Sequence, residues 1–511
     1  MDVSFPPINL HSLKLSESCL NALEYKFIQK HQCLIFDITQ SPQTIHIALK
    51  HTNAPLSLIR THILRLYPQA HLVFFTTDEK SFALQAHHIY LFQHFNTLKN
   101  ALLKQHESPN DTNNKDTDIS VVALLDFILH TCIMQKASDI HLESFEANGK
   151  RAARIRIRID GMLRELFSLE SNVLEALSSR LKLECELDIT QTRQSQDGRF
   201  KRVFDNHHFD FRLSILPAFG GESLVIRILA KETQNLSLEG LGFTKEHLTT
   251  ITGHIQAQNG IILLTGPTGS GKSTTLYAMI ESIKSPDKKI ITLEDPIEYH
   301  TQLTTQVLIH NKYDFGFSEA LRALLRHDPD VLMIGEIRDQ ESLDIALRAA
   351  LTGHLVLSTL HTNDALSVVE RLLDMGAQGY LIASSLRLVI SQRLVRKLCP
   401  YCRAPLSAKE MYNKLLQSHL LHLWDNIKDG TFFAPCGCVH CNMQGFSGRL
   451  LVAECLQNTS LLGEYIKSPQ DKAHIHAKLK QTGFKSMLEV GMELLKNGQS
   501  SFEEIYRVCN I

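Results

Sequence analysis

No stretch of this chain is apolar enough to cross a bilayer. The longest apolar run, Val121 to Met134, is interrupted by Asp126 and His130, and a spanning helix needs about 20 predominantly apolar residues. The opening residues, Met1 to Pro7, lack the basic start and apolar stretch of a signal peptide. Those absences predict a cytoplasmic protein that reaches a membrane only through partners. A charge excess is missing too: 53 Lys and Arg stand against 54 Asp and Glu. No global field would recruit nucleic acid or anionic lipid. Cations are not interleaved with aromatics as on a strand-binding surface, so direct nucleic-acid binding is not expected. The chain does have bulk. Its 511 residues, 43% apolar, suffice for roughly three domains with real cores.

Residues 263–274 read LLTGPTGSGKST, a phosphate-binding loop in the right context. An apolar strand candidate, Gly260 to Leu264, precedes it. A helical pattern follows, with Leu276, Met279, Ile280 and Ile283 on one face. Glycines let backbone N–H groups turn inward around an anion, and the helix N-terminus adds partial positive charge. Gly266, Pro267, Thr268, Gly269, Ser270, Gly271, Lys272, Ser273 and Thr274 are therefore the predicted nucleotide-binding residues. Lys272 can reach the β- and γ-phosphates, and Ser273 can ligate Mg²⁺.

Carboxylates follow at strand ends. Lys289 to Leu293 reads as a strand ending in Glu294-Asp295-Pro296-Ile297-Glu298, where α/β sheets place ligands. The apolar run Val331 to Ile334 leads into Gly335-Glu336-Ile337-Arg338-Asp339. A carboxylate at Glu336 can hold the Mg²⁺ shell opposite Ser273; the longer glutamate arm suggests contact through a water. Further on, a buried strand is flanked by His354 and His361. Either could be a hydrogen-bonded core histidine; His361 could instead sense the γ-phosphate.

Of eleven cysteines, five fall between Cys399 and Cys441. Clustered pairs in a cytosolic chain point to metal rather than disulfides. Cys399 with Cys402 and Cys438 with Cys441 form two C-x-x-C knuckles that together complete a tetrahedron for Zn²⁺. The stretch 403–437 exceeds the usual ribbon spacing, so an insertion is expected to loop out. Cys436 and His440 are spare donors.

The remaining chain divides by pattern. Residues 1–104 read as a small α+β domain with short apolar runs (Cys33–Phe36, His71–Phe75, Ile89–Phe92) and a helical pattern at Leu56–Leu66. Residues 105–118 are polar, a linker by composition. Residues 119–232 read as a second α+β domain. It opens on a helical pattern from Val121 to Cys132 and contains Arg154-Ile155-Arg156-Ile157-Arg158-Ile159-Asp160-Gly161, an alternating strand with one cationic face and a Gly turn. That face is either a solvated edge or a surface meeting a nucleotide or a neighbouring subunit. Gln196 to Arg199 reads as a turn, Phe209 to Leu213 and Leu224 to Leu229 as strands.

The joint set GPTGSGKST, LEDPIEY, DPDVLMIGEIRD, TGHLVLSTLHTNDA, QRLVRKLCPYC and CVHCNMQGFSGR, with ASDIHLE, RIRIDGMLR, QDGRF, DFRLS and LPAFGGESLVIRIL upstream, resembles the type II secretion and type IV pilus-assembly ATPase family over roughly residues 119–511. The resemblance implies an α/β protein: a RecA-like ATPase domain over 233–511, with a zinc module at about 396–449 and a helical part at 450–511, preceded by a PAS-like α+β domain. It implies ATP, Mg²⁺ and Zn²⁺, and a homo-hexameric ATPase that powers assembly of a type II secretion pseudopilus, a type IV pilus or a related DNA-uptake machine, working on an inner-membrane polytopic platform protein and other secretion or pilus components. Glu298 would be the glutamate that orients the attacking water, Glu336 the Walker B glutamate, and His354 and His361 the histidine box. Arg199 and Arg212 would be offered to the nucleotide at a subunit boundary. The paired knuckles belong to the assembly and secretion branch. Two alternatives share the ATP core: a nucleic-acid translocase or type IV secretion-like motor, and a scaffold that binds ATP without turning it over.

Overall fold

A computed structural model describes residues 5–10, 13–40, 43–51, 53–107, 114–147, 149–230, 237–309, 317–467 and 472–509. The chain divides into two compact units. One comprises residues 1–231, 399–403 and 435–447; the other comprises 232–398, 404–434 and 448–511.

In the first unit, strands β1 (Cys33–Gln40), β2 (Gln43–Leu49) and β3 (His71–Thr76) form a sheet in that order. The helix Leu56–Leu66 connects β2 to the parallel β3 and buries Ile59 and Ile63. The run Ile89–Phe92 is helical, because it falls inside the long helix Glu79–Glu107, where Ile89 and Phe95 point into cores. That helix passes residue 104, and the helix Asn114–Met134 takes up residues 114–118. Of the predicted linker, residues 108–113 lie outside the described residues.

Six further strands make an antiparallel sheet: β4 (Asp139–Ala147), β5 (Lys150–Ile159), β6 (Met162–Glu170), β7 (Gln196–Phe204), β8 (His207–Ala218) and β9 (Gly221–Ala230), in the order β6-β5-β4-β9-β8-β7. Leu124, Leu125 and Ile128 from the helix Asn114–Met134, and Val173 and Leu177 from the helix Ser171–Glu184, share one core with Ile140, Ile155 and Ile226 of the sheet.

Two sequence expectations change here. The cationic strand is not an edge: β5 sits between β6 and β4. Its arginines meet acids on β4, Arg154 and Arg156 donating to Glu143 at 3.1 and 2.5 Å, with Arg158 3.7 Å from Asp139. Alternation alone cannot reveal that the neighbouring strand carries the counter-charges. Residues 196–199 are strand, not turn, with Gly198 opposite Leu213. A Cβ at Gly198 would stand 2.5 Å from the Cys185 Cβ, so this glycine serves close packing rather than a turn. Asp160-Gly161 is a true hairpin turn, with φ of 49° and 83°.

Lys182 is buried, its ammonium donating to Glu222 at 2.7 Å and to the Gln191 carbonyl at 2.8 Å. Stripping a buried cation of its carboxylate costs about 3–5 kcal/mol, so this pair pins the segment leading into β7.

In the second unit, β10 (Gly260–Thr265), β11 (Ile290–Glu294), β12 (Thr304–Leu308), β13 (Val331–Ile334), β14 (Leu355–Thr359) and β15 (Leu386–Leu398) build one sheet. The short ribbon β16 (Ala404–Leu406) and β17 (Phe432–Ala434) stands apart, and β18 (Phe446–Gln457) completes the large sheet. Its order is β12-β11-β13-β14-β10-β15-β18. The pairs from β12 through β15 are parallel. β10, β11, β13 and β14 are buried along their length, and helices of both flanking clusters cover the sheet, as parallel sheets require.

The insertion between the knuckles leaves them, as the spacing predicts: residues 404–434 group with the second unit, whereas 399–403 and 435–447 group with the first. Its helix Ala408–Gln417 buries Met411 and Leu415 among Met487, Leu495 and Ile505 of the C-terminal helices. Apolar spacing within the insertion supplies a face that would otherwise meet water. The predicted helical part from 450 begins as strand β18, and the helices Ser460–Lys467, Lys472–Gln481, Met487–Lys496 and Phe502–Cys509 follow.

Candidate active site

The order of the parallel strands assembles the site. β11, β13, β14 and β10 are neighbours, and each hands a loop to the same, carboxyl-terminal edge. Those loops carry Glu298, Glu336, His361 and the predicted phosphate-binding residues. Ligands bind beyond that edge in open α/β sheets.

The phosphate loop turns through Gly266, Gly269 and Gly271, with φ of 137°, 78° and 88°. At Gly266 any Cβ would lie 2.3 Å from the Gln392 carbonyl oxygen, so only glycine fits. Pro267, Thr268 and Gly269 are exposed and Ser270 is buried, its carbonyl accepting from the Gln392 amide at 2.8 Å. The helix Lys272–Ile283 starts at Gly271 with no side-chain cap. Its first N–H groups, which have no partner within the helix, are thus free of side-chain competition for an anion. Lys272 curls over the loop, donating to the Gly266 and Pro267 carbonyls at 2.8 and 3.2 Å. Burial pulls its ammonium below the usual lysine range, and Glu336 and Glu298 push it back up. The lysine therefore stands within electrostatic reach of both predicted carboxylates.

The carboxylates differ in their surroundings. Glu298 is exposed. Glu336 accepts from the Arg338 guanidinium, with Nε at 2.6 Å, and lies 3.6 Å from His361 Nε2. Glu294, at the start of the acidic segment, is a different kind of group. It is buried, accepting from the hydroxyls of Tyr277 and Thr292 and from the Gln306 amide.

Of the two histidines only His361 reaches the site edge. His354 precedes β14, where its Nδ1 bonds the Ala349 carbonyl at 2.9 Å and its own carbonyl accepts from Gly260 at the start of β10. With β14 extended between them at about 3.3 Å per residue, the two rings occupy opposite ends of the sheet. Both ends of a strand look alike in sequence; only one faces the ligand. The His361 loop is latched to the phosphate loop, because the Thr362 N–H donates to Thr265 Oγ1 at 2.8 Å. From its other side, buried Glu454 on β18 accepts from the N–H groups of Ala365 and Met487 at 2.6 and 2.9 Å. Burial outweighs those two donors and holds its carboxyl up at about 7.

In the first unit, Arg199 on β7 lies opposite Arg212 on β8, and Arg212 opposite Arg227 on β9. Like charges facing across strands are destabilising. Asp139 answers Arg227 at 3.0 Å, and the row lines an open cavity of about 530 Å³ with Asp197 and Ser214. This is a built cationic surface suited to an anion.

The thiols of Cys399, Cys402, Cys438 and Cys441 lie within 4.8 Å of one another. Three Sγ–Sγ separations are 3.8, 3.8 and 3.7 Å. A tetrahedron with metal–sulfur bonds of about 2.3 Å has edges of about 3.8 Å, so the four fit Zn²⁺. Backbone N–H groups of Gly437, Cys438 and Gly445 point at the sulfurs at 3.1–3.3 Å, as thiolates would be supported. Cys436 and His440 are outside the group.

A family model described as "Type II/IV secretion system protein" matches residues 114–507. The chain belongs to that family. Among its type II/IV secretion relatives, "Type II secretion system ATPase E" of Vibrio cholerae is 40% identical over 398 residues, 78% of this chain and 77% of that protein. "Type IV pilus assembly ATPase PilB" of Myxococcus xanthus is 39% identical over 389 residues, 76% of this chain and 68% of the relative. The solved structure of the Legionella pneumophila ATPase DotB shares the fold at a TM-score of 0.54 and 21% identity, covering 76% of this chain and 95% of that one.

Sequence reasoning missed several parts of this type II/IV secretion site. Arg338 and Arg227 lay inside the motifs, but nothing in the sequence showed that they pair with Glu336 and Asp139. Tyr277 lay unremarked inside the helical pattern after the loop, and the strand that carries Gln306 went unread. Their buried polar contacts become visible only when β11, β12 and the loop helix are brought together.

Proposed function

We infer that this chain hydrolyses ATP to power type II protein secretion or type IV pilus assembly. The observation that carries this reading is a phosphate loop whose helix starts uncapped, at the same edge of the parallel sheet as the loops of Glu298 and Glu336. The names of the Vibrio and Myxococcus relatives support the client machines.

In this reading the loop's N–H groups and Lys272 cradle the β- and γ-phosphates. Glu298 orients the attacking water, and His361 reads the γ-phosphate through Glu336. Ser273 and, through water, Glu336 would hold Mg²⁺, which supplies charge neutralisation on the phosphate oxygens. His354, at the far end of β14, takes no part. The second unit is RecA-like and the six-stranded domain PAS-like. The first hundred or so residues would dock a partner. Chains close into a homo-hexamer by head-to-tail contacts, the arrangement that makes rings. The ring works in the cytoplasm against the inner membrane, held there by a polytopic platform protein. Among the described residues no helix is long and apolar enough to cross a membrane, which suits attachment through such a partner.

Lys272→Ala tests the assignment. Losing a charge-assisted contact worth about 1.5–3 kcal/mol should weaken ATP binding by roughly 10–150-fold in a nucleotide titration. Unchanged affinity would move the site elsewhere.

The four thiolates would hold one structural Zn²⁺ in a closed site. Elemental analysis of protein purified without added metal should return about one zinc per chain. Cys438→Ser should lose it and Cys436→Ser should keep it. A stable, zinc-free wild type would refute the assignment.

A further inference from the structure

The buried polar network beneath the site has no part in the hydrolysis scheme above. Tyr277 is 1% exposed and lies on the phosphate-loop helix, four residues after Ser273. Residues four apart share a helix face, so the Mg²⁺-site serine and this phenol move together. The Tyr277 hydroxyl donates to the buried Glu294 carboxylate. The Gln306 amide donates to the same phenol oxygen at 3.4 Å. Gln306 on β12 closes the network, donating to the Tyr299 carbonyl at 2.8 Å and to Glu294 at 3.2 Å, while its own oxygen accepts from the Thr301 N–H at 3.2 Å. The Tyr277 and Tyr299 rings meet edge to face at 5.0 Å.

Every bond in this set joins the phosphate-loop helix, the strand before Glu298, β12 and the backbone just after Glu298, at Tyr299 and Thr301. A carboxylate at an exposed loop position is otherwise free to wander. Here the loop backbone is tied to the helix whose N-terminus holds the phosphates.

We propose that Tyr277 is a positioning residue for hydrolysis: with Glu294 and Gln306 it fixes the Glu298 segment relative to the phosphate loop. This rests on the reading of Glu298 as the water-orienting group. A shift of the phosphate-loop helix on nucleotide binding is thereby carried into the placement of Glu298. The fold does not need a hydroxyl at position 277 to fill space, since phenylalanine has the same ring.

The test is a double-mutant cycle read by single-turnover hydrolysis. Tyr277→Phe should lower the hydrolysis rate roughly tenfold, inside the 10²-fold that a misplacement of about 1 Å can cost, with ATP affinity changed less than about twofold. In a Glu298→Gln background the same change should leave the residual rate within about twofold, because no carboxylate remains to be placed. Gln306→Met, which cuts the tie to the Tyr299 carbonyl, should give the same signature and guards against a folding defect peculiar to Tyr277→Phe. An equal loss in both backgrounds, an affinity loss as large as the rate loss, or wild-type rates in both single variants would overturn the proposal. The failure of the underlying reading looks different: Glu298→Gln alone would then retain the wild-type rate.

Discussion

Glu298→Gln is expected to leave ATP bound and to slow hydrolysis by roughly 10²–10⁴-fold, the size of a lost general base. The substitution keeps the side chain's shape and removes its charge. Glu298 is exposed at the end of the segment after β11, so the change strips no buried partner and should not touch stability. The segment that carries Glu298 leaves β11 at the sheet edge where the phosphate loop leaves β10. The neighbouring acids fit the role less well. Glu294 is buried and fully engaged with Tyr277, Thr292 and Gln306, and Glu336 is held by Arg338 beside His361. The Arg338 guanidinium already occupies the Glu336 oxygen that would accept from a water. Equilibrium binding and single-turnover hydrolysis, measured on the same preparation, separate the possibilities. Loss of binding as severe as loss of rate would make Glu298 a structural or metal-shell residue.

The site was legible where chemistry imposes a local pattern. A phosphate cradle needs glycines, a lysine and a helix start within a dozen residues, so Gly266 to Thr274 could be read directly. The knuckles were legible for the same reason, and the tetrahedral sulfur spacing follows from Cys399, Cys402, Cys438 and Cys441. The carboxyl-edge placement of Glu298, Glu336 and His361 followed from strand ends, because a parallel sheet turns sequence order into a shared edge.

What stayed hidden depends on which strand lies beside which. The arginines of β5 looked like a free cationic face until β4 supplied Glu143 and Asp139. Gly198 looked like a turn until Cys185 proved to occupy the space of its missing Cβ. His354 and His361 flank one strand, yet only strand direction decides which of them meets the ligand. The spacing shows that the insertion 403–437 loops out of the knuckles, but not that Met411 and Leu415 then pack among Met487, Leu495 and Ile505. In each case the sequence states the residue's chemistry, and a partner distant along the chain decides its use.

The largest expected effect is a rescue. Arg199 and Arg212 lie in one compact unit and the phosphate loop in the other. The transition state needs positive charge beyond Lys272 and Mg²⁺, and an arginine supplied there is worth on the order of 10³–10⁵ in rate. Arg212 stands between Arg199 and Arg227 in the cationic row, directly opposite both. If a neighbouring chain in a ring presents this row, Arg212→Ala and Glu298→Gln are each inactive alone. Mixed, they regain activity, because about one boundary in four of a random cyclic ring unites a wild-type arginine with a wild-type glutamate. Activity per wild-type chain should also rise steeply with protein concentration as rings form. Subunit exchange followed by ATPase assay, with ring formation verified by light scattering, reads both effects. Dead mixtures in verified rings, or full activity in a verified monomer, would place the arginine and the glutamate of each site on the same chain.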